Sequence, residues 1–470
     1  MNVHITREVT MKRISRWFRL LLLMLTLPIG LSAEPGIEIP DNVRQFDVDG
    51  ITVLTRPSGP SNHVVYAKIF IRGGITALRD DVSPAMEELA LTVPIASGPL
   101  GTDRAKHQRE MERTAIGISA SAERDYSVLN LRCVDETFTR AWQIYTGIIL
   151  NPQYDPLELR NAKERMLSLI RNRYVNPESY ASYLADSVFF DGHPYGRFVQ
   201  ESELPGITVD LLQAHQRGLF VKSRILLVVV GNVDSAQLHA MVSSTLGRLP
   251  QGNYRQATIP IPKNAKVQQI LVRRPYGGVA AVTNYLVARY LAPGMDDSLY
   301  YPFMRLTSFL SGSLFREVRV QRNLSYAPEA DVRFNDVSYG EITISTTLPD
   351  SAWRVAKGEV VNFFRNFIIS DESVKSGLSG WITSYYMREQ TNESQAGRLG
   401  EAYLYTGSWK NAFGLVEGIS SITPEQMNMA ALRYLKNMTF VIVGDPSAVT
   451  SSEYLGVVRQ ADPNRPDWEK

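Results

Sequence analysis

Apolar residues along the chain follow two different spacings. In stretches such as 127–134 they occupy alternate positions, whereas in stretches such as 424–435 they recur every three or four residues. The first spacing is typical of half-buried strands and the second of amphipathic helices. Because the strand stretches mostly alternate, the pattern favours mostly antiparallel sheets packed against helices. We therefore predict the α+β fold class.

The pattern also occurs twice. An apolar run ends at Gly231 and a similar run ends at Gly444, 213 residues later (444 − 231 = 213). Near the front of each half, a strand-like stretch leads through two adjacent aspartates into a helix. These matches indicate two homologous, gene-duplicated α+β domains. We predict the first domain at 34–250, a linker bearing Pro and Gly at 251–265, the second domain at 266–450 and a tail at 451–470.

The N-terminus has the organisation of a secretory signal peptide, predicted at residues 1–33. A basic cluster, 12–19, precedes the apolar run Leu20–Leu27, and the small residues Ser32 and Ala33 follow. The apolar run is far shorter than the ~20 residues that span a bilayer. We expect export, to the periplasm if the source is a Gram-negative bacterium, with either a cleaved signal or an uncleaved anchor.

Charge and cysteine content exclude other classes of protein. Lys and Arg number 50 against 48 Asp and Glu, and the two signs are interspersed, so no nucleic-acid groove is expected. Cys133 is the single cysteine, which excludes a disulfide framework and a thiolate-rich metal site.

Several short motifs recur in a fixed order over almost the whole chain after the predicted signal. They include the opening 46–54, Gly73-Gly74, Asn151-Pro152, His193-Pro-Tyr-Gly196 and the Val-Val-Gly-Asn-Val run at 229–233. In order and spacing the chain resembles the pitrilysin/insulinase family of zinc metallopeptidases. The resemblance implies a peptidase-like fold of two similar halves.

The catalytic motif of that family is degenerate in this sequence. The family carries His-x-x-Glu-His on its first long helix, where two histidines bind Zn²⁺ and the glutamate takes a proton from bound water. Here Ala85 and Leu89 stand at the histidine positions and only Glu88 remains. The third ligand position, a glutamate in the family, falls at Arg171. We therefore expect no metal, no other cofactor and no independent peptidase activity in this chain.

The histidines do not suggest another zinc site. None of the six lies within a helical turn of another, and we predict that His107 with Glu110 is only a surface pair. Neighbouring Glu87 and Glu88 cannot face the same point of a helix, so they form no acid–base pair. A peptidase using zinc through unrecognised ligands is the least favoured hypothesis.

The second half keeps a segment that closely resembles a family substrate-contact motif. It runs from Gly312 to Tyr326, and the resemblance implies that Arg319 and Tyr326 hydrogen-bond a peptide near its scissile carbonyl. Asn323 stands where glycine is usual and tolerates the same left-handed backbone. The alternative is that Arg319 lies on an exposed helix face while Tyr326 packs in a core.

Two hypotheses of function follow. In one branch of the family, resembling mitochondrial processing peptidase, a zinc-bearing subunit pairs with one that lacks zinc. The first hypothesis is therefore a non-catalytic, exported partner of a homologous zinc-bearing chain, acting on peptides or unfolded proteins. The second is a scaffold without an enzymatic partner, which adds a peptide as an extra strand. Ser121 replaces the asparagine of the family's edge strand, which weakens the expectation of tight substrate binding.

Overall fold

The computed structural model describes residues 40–449, apart from 41, 60, 267–268, 276–281 and 364–368. The predicted signal peptide, 1–33, and the predicted tail, 451–470, lie outside these residues. Within the described ranges, no helix is both long enough and apolar enough to cross a membrane.

The strands form two sheets, one in each half of the chain. The first is six-stranded with the order β1-β2-β6-β3-β5-β4, and the second is five-stranded with the order β7-β11-β8-β10-β9. The strands are β1 Arg44–Val48, β2 Ile51–Arg56, β3 Val64–Arg72, β4 Gly117–Ala122, β5 Tyr126–Val134, β6 Ile225–Val230, β7 Gln269–Arg273, β8 Asn284–Leu291, β9 Glu329–Arg333, β10 Tyr339–Thr346 and β11 Thr439–Val443.

The second sheet repeats the topology of the first. From β2 onward the first order is matched by β7, β11, β8, β10 and β9, and each sheet contains one parallel pair, β2 with β6 and β7 with β11. All the other pairings are antiparallel among the described strands. The predicted α+β fold class with two similar, mostly antiparallel sheets is confirmed.

Helices connect and cover the strands. They are α1 Ala85–Ser97, α2 Arg104–Arg113, α3 Phe138–Leu150, α4 Pro156–Val175, α5 Pro177–Phe189, α6 Val209–Leu219, α7 Ser235–Ser244, α8 Tyr300–Leu314, α9 Pro349–Val361, α10 Asp371–Lys375, α11 Leu378–Arg388, α12 Asn392–Thr406, α13 Leu415–Ser420 and α14 Pro424–Tyr434. A π-helical turn, Phe315–Val320, continues α8. Residues 251–262 have no regular structure, and a 3₁₀ turn follows at Lys263–Lys266.

Asn176 separates the two helices α4 and α5. Its side-chain oxygen accepts hydrogen bonds from the amides of Glu178 and Ser179, both at 3.0 Å. Pro177 follows as the first residue of the new helix, where its missing N–H costs nothing. A new helix therefore begins here, and α5 packs against the second half of the chain.

Each sheet is covered on its second face by a helix from the other half. Helix α5 packs on β8 and β11 of the second sheet, with Ala181 and Leu184 in the contact. Helix α12, from the second half, packs on β3 and β6 of the first sheet through Ala396, Leu399 and Ala402. The central strand β6 is buried at every residue, as a strand covered on both faces must be. The alternating strand patterns did not identify this exchange of helices between the two halves.

Candidate functional site

Helix α1 carries Ala85 and Leu89, the positions at which the sequence resemblance predicts lost zinc-binding histidines. Ala85 and Leu89 are 0% and 1% exposed, and both belong to the apolar core beneath the first sheet. Neither side chain has a lone pair to offer a metal. The two positions contribute to packing in this chain.

The two glutamates of α1 point to different places, as their adjacency on the helix requires. Glu87 is completely buried; its Oε1 accepts from Ser127 Oγ at 2.7 Å and its Oε2 lies 2.8 Å from His215 Nε2. Glu88 is half-buried, and its Oε2 accepts a 3.0 Å hydrogen bond from the amide of Ala122 at the end of β4. Burial raises the pKa of Glu88, and the nearby carboxylates Glu123 and Glu87 raise it further, against the opposing effect of the Ala122 amide.

Arg171, in α4, lies on the surface and forms an ion pair. Its side chain is 62% exposed, and Nη2 lies 2.8 Å from Glu201 Oε1. Glu203, in the same short turn as Glu201, accepts a 2.6 Å hydrogen bond from Ser83 Oγ, just before α1 begins. Arg171 is thus connected through this turn to the start of α1, and its positive charge opposes metal binding.

These residues do not fit a zinc ion. Zinc requires nitrogen, sulfur or oxygen ligands converging on one point, whereas α1 presents a methyl and an isobutyl group at the two critical positions. Across residues 40–449, with the gaps given above, no three His, Cys, Asp or Glu side chains are grouped so that they could hold a metal.

His107 is not a surface residue, so the prediction of a surface pair with Glu110 is wrong. It is 2% exposed, and its Nε2 lies 3.0 Å from the carbonyl oxygen of Ile95 in α1. Glu110 instead binds Arg140, with 2.6 Å between Oε1 and Nε. The many charged residues around His107 in the sequence indicated a surface position, although its ring packs against Gly98 at the end of α1.

Arg319 and Tyr326 lie together at the end of α8. The apolar residues Leu310, Leu314 and Val318 are fully buried and anchor the helix and its π-helical extension to the core. The π turn ends at Val320, and Asn323 then adopts a φ of 50°, so the left-handed turn expected there is confirmed. The turn brings Tyr326 back onto Arg319.

The Arg319 guanidinium is held between two aromatic rings. Its central carbon lies 4.0 Å from the Tyr326 ring centroid and 5.2 Å from that of Phe315, and Nη1 donates to the Tyr326 carbonyl. Tyr326 is 78% exposed, which contradicts the alternative that it packs in a core. Stacking of this kind fixes the direction of a guanidinium while leaving its other N–H groups free to donate.

The structure brings Arg319 and Tyr326 to each other but not to the degenerate zinc positions. In the part of the chain that the structure describes, every hydrogen bond and ring contact of this pair lies within residues 315–326. The degenerate positions lie on α1, in the first half. The two groups of predicted site residues therefore lie on different elements, one in each half of the chain.

A buried polar cluster at the junction of the two halves was not predicted as a site. Asp125 accepts hydrogen bonds from Tyr195 Oη at 2.5 Å, Tyr405 Oη at 3.2 Å and the Asp336 amide at 2.9 Å. Gln256, in the linker, donates to Asp336 Oδ2 at 2.8 Å. Tyr195 belongs to a motif that carried the family resemblance, but the motif gave no indication that this residue meets residues of the second half.

Comparison with known proteins also indicates a similarity to zinc peptidases. Residues 206–372 match the sequence model of a family described as the peptidase M16 inactive domain. An uncharacterized zinc protease of Mycobacterium leprae is 22% identical over 353 residues, covering 71% of this chain and 77% of that protein.

Solved structures share the fold. A peptidase M16 inactive domain from Pseudomonas fluorescens superposes with a TM-score of 0.77 at 18% identity, over 86% of this chain and 98% of that one. The periplasmic protease PqqL of Escherichia coli gives 0.74 at 13% identity, over 86% of this chain but only 46% of its own. A protease from Helicobacter pylori gives 0.74 at 12% identity, over 87% and 100% of the two chains.

The fold and the inactive-domain match define a peptidase-like class of protein, with buried apolar residues at the predicted metal positions. The comparisons confirm the resemblance to the pitrilysin/insulinase, or M16, peptidases, and the match over residues 206–372 supports their non-catalytic branch.

Proposed function

We propose that this chain is the non-catalytic subunit of an exported two-chain zinc peptidase. A homologous partner chain carries the zinc ion, and this chain supplies Arg319 and Tyr326 as contacts to a peptide or unfolded protein substrate. Export rests on the signal-like N-terminal sequence.

One contrast carries the proposal. The zinc-ligand positions Ala85 and Leu89 are apolar and buried, whereas Arg319 and Tyr326 are preorganised and accessible. The length of the PqqL chain is consistent with a paired arrangement, because this fold accounts for less than half of it.

The chemistry of the Arg319–Tyr326 pair suits a substrate carbonyl. The guanidinium donates from a fixed, planar group, and the phenol adds one further donor from an exposed ring. Donors preorganised in this way stabilise an oxygen that gains negative charge during peptide hydrolysis. In this assignment the pair positions and polarises the substrate, while the partner supplies the metal chemistry.

The test is kinetic and uses the chain reconstituted with its zinc-bearing homologue. Arg319→Ala should lower kcat of the pair by more than about tenfold, because one donor to the developing oxyanion is lost. Arg316→Ala is the matched control, since Arg316 is an exposed arginine of the same turn that pairs with Glu317. Gel filtration should show intact assembly for both variants, and normal turnover of Arg319→Ala would refute the proposed role.

A second function, the peptide-binding scaffold, is supported by the free edge of the first sheet. Strand β4 is the last strand of its sheet, and the antiparallel register with β5 directs the backbone groups of Ile118 and Ala120 away from the sheet. A peptide could therefore add there as another strand. Purification of a stable homodimer with no zinc-bearing partner would favour this function over the two-chain peptidase.

A further inference from the structure

The free edge of β4 is not equally open along its length. The amide of Glu123 donates to the Tyr126 carbonyl at 2.9 Å, so residues 117, 119 and 121 face β5 and residues 118, 120 and 122 face outward. Of these outward groups, the Ala122 amide already donates to Glu88 Oε2, at 3.0 Å. A strand arriving at this edge would need that same amide.

We propose that Glu88 caps the free edge of the first sheet and blocks the addition of a peptide strand opposite Ala122. Glu88 is the one residue of the peptidase motif that the resemblance retains, and its carboxylate accepts a hydrogen bond from the backbone of β4. The cap is an autoinhibitory contact within this chain. The cap does not depend on a partner subunit. Its test can therefore fail or succeed independently of the proposed function.

Three features of the contact make it an effective cap. A carboxylate accepts an amide hydrogen bond more strongly than a neutral peptide carbonyl does, so an incoming strand offers a weaker acceptor. Glu88 projects from α1, a helix anchored in the core by Ala85 and Leu89, so the side chain needs no reordering to stay in place. Its half-buried position also shields the hydrogen bond from water.

Removing the cap should open the edge. The experiment uses the purified full chain and a fluorescein-labelled peptide of alternating threonine and valine residues, flanked by lysines, with binding followed by fluorescence anisotropy. Glu88→Ala should bind this peptide about tenfold more tightly than the wild type, because the amide becomes available. Glu88→Gln is the matched comparison: it keeps an acceptor of the same length but without the charge, so its Kd should fall between those of the wild type and Glu88→Ala.

A second substitution locates the bound peptide. Ala120→Pro removes one outward-facing N–H of β4 and places a ring on the open edge, so the double variant Glu88→Ala, Ala120→Pro should return to the wild-type Kd. Equal Kd values for the wild type and Glu88→Ala, an absence of binding to either, or tight binding that survives Ala120→Pro would each overturn the proposal.

Amide exchange gives a readout that does not depend on the choice of peptide. The Ala122 N–H is protected by Glu88 in the wild type and should exchange at least about tenfold faster in Glu88→Ala. Unchanged exchange would show that the cap does not hold in solution. Glu88→Met keeps the side-chain length without the acceptor and provides the same comparison if the alanine variant does not fold.

Discussion

Ala85 and Leu89 stand where the resemblance implies histidines, and they give the inner face of helix α1 a packing role. The side chains now fill the core, and the neighbouring carboxylates have separate roles: Glu87 joins Ser127 and His215, and Glu88 binds the Ala122 amide. Restoring only the two histidines would therefore place imidazoles in a packed apolar site without a third ligand. The predicted metal positions on α1 thus lack both the ligand atoms and the space that a zinc site needs.

Asp336, at the junction of the two halves, makes stability depend on pH. Burial raises its pKa to about 6, and the charge of Asp125 raises it further, while Gln256 and Arg72 act in the opposite direction. Because the folded-state pKa lies above the ordinary value near 3.9, the contribution of Asp336 to stability is present below about pH 4 and is lost as pH rises through 6.

Asp336→Asn should therefore be more stable than the wild type at pH 7 to 8. Asparagine cannot ionise, and its oxygen can still accept from Gln256. Asp336 is an exposed residue despite the partial burial of its carboxylate, so solvent screening limits the gain to below about 1 kcal/mol. Thermal unfolding between pH 4 and 8 measures the effect. The exposed Asp191→Asn should follow the wild-type curve, and a parallel curve for Asp336→Asn would rule out this titration.

At the scale of elements, the exchange of α5 and α12 joins the two halves of the chain. Helix α12 lies close against the first sheet, and Gly400 is the point of closest approach to the buried ring of Phe70. A methyl group there would meet the ring directly. Gly397, one turn earlier in the same helix, faces Lys68 Nζ at 3.9 Å from a built methyl group, which is an ordinary contact distance.

Gly400→Ala and Gly397→Ala should therefore change stability in opposite directions. Alanine at Gly400 overpacks the contact between helix and sheet and should lower the free energy of unfolding by about 1–3 kcal/mol. Alanine at Gly397 gains helix propensity without a clash and should raise it by up to about 1 kcal/mol. Urea unfolding measures both. A stabilising Gly400→Ala would show that α12 does not pack on β3 as described.

The helices and strands could largely be predicted from the sequence, but the sequence did not show which of them pack against each other. The run that ends at Gly231 and its repeat at Gly444 predicted the interior strands β6 and β11. Motif spacing predicted the loss of ligands at Ala85 and Leu89, which stays a prediction, and their burial is consistent with it. Periodicity shows that one face of α12 is apolar without showing which sheet it covers. Local charge likewise hid the burial of His107, because its contacts come from a different helix.

For the whole molecule, we propose a subunit that supplies substrate contacts to a catalytic site in another chain. The two halves of the chain interlock around a buried polar junction, and they carry no zinc site among the described residues but a preorganised Arg319–Tyr326 pair. Its activity is therefore expected to appear only in a complex, with the metal entering through another chain.

Metal content together with activity tests that claim most directly. Zinc content and peptidase activity are measured for the purified chain by itself and for the chain assembled with its zinc-bearing homologue. The chain by itself should contain essentially no zinc and show no peptidase activity. The assembled pair should contain about one zinc ion and cleave peptide, since a catalytic zinc site needs three protein ligands. Stoichiometric zinc in this chain alone, with peptidase activity that a chelator abolishes, would contradict the account.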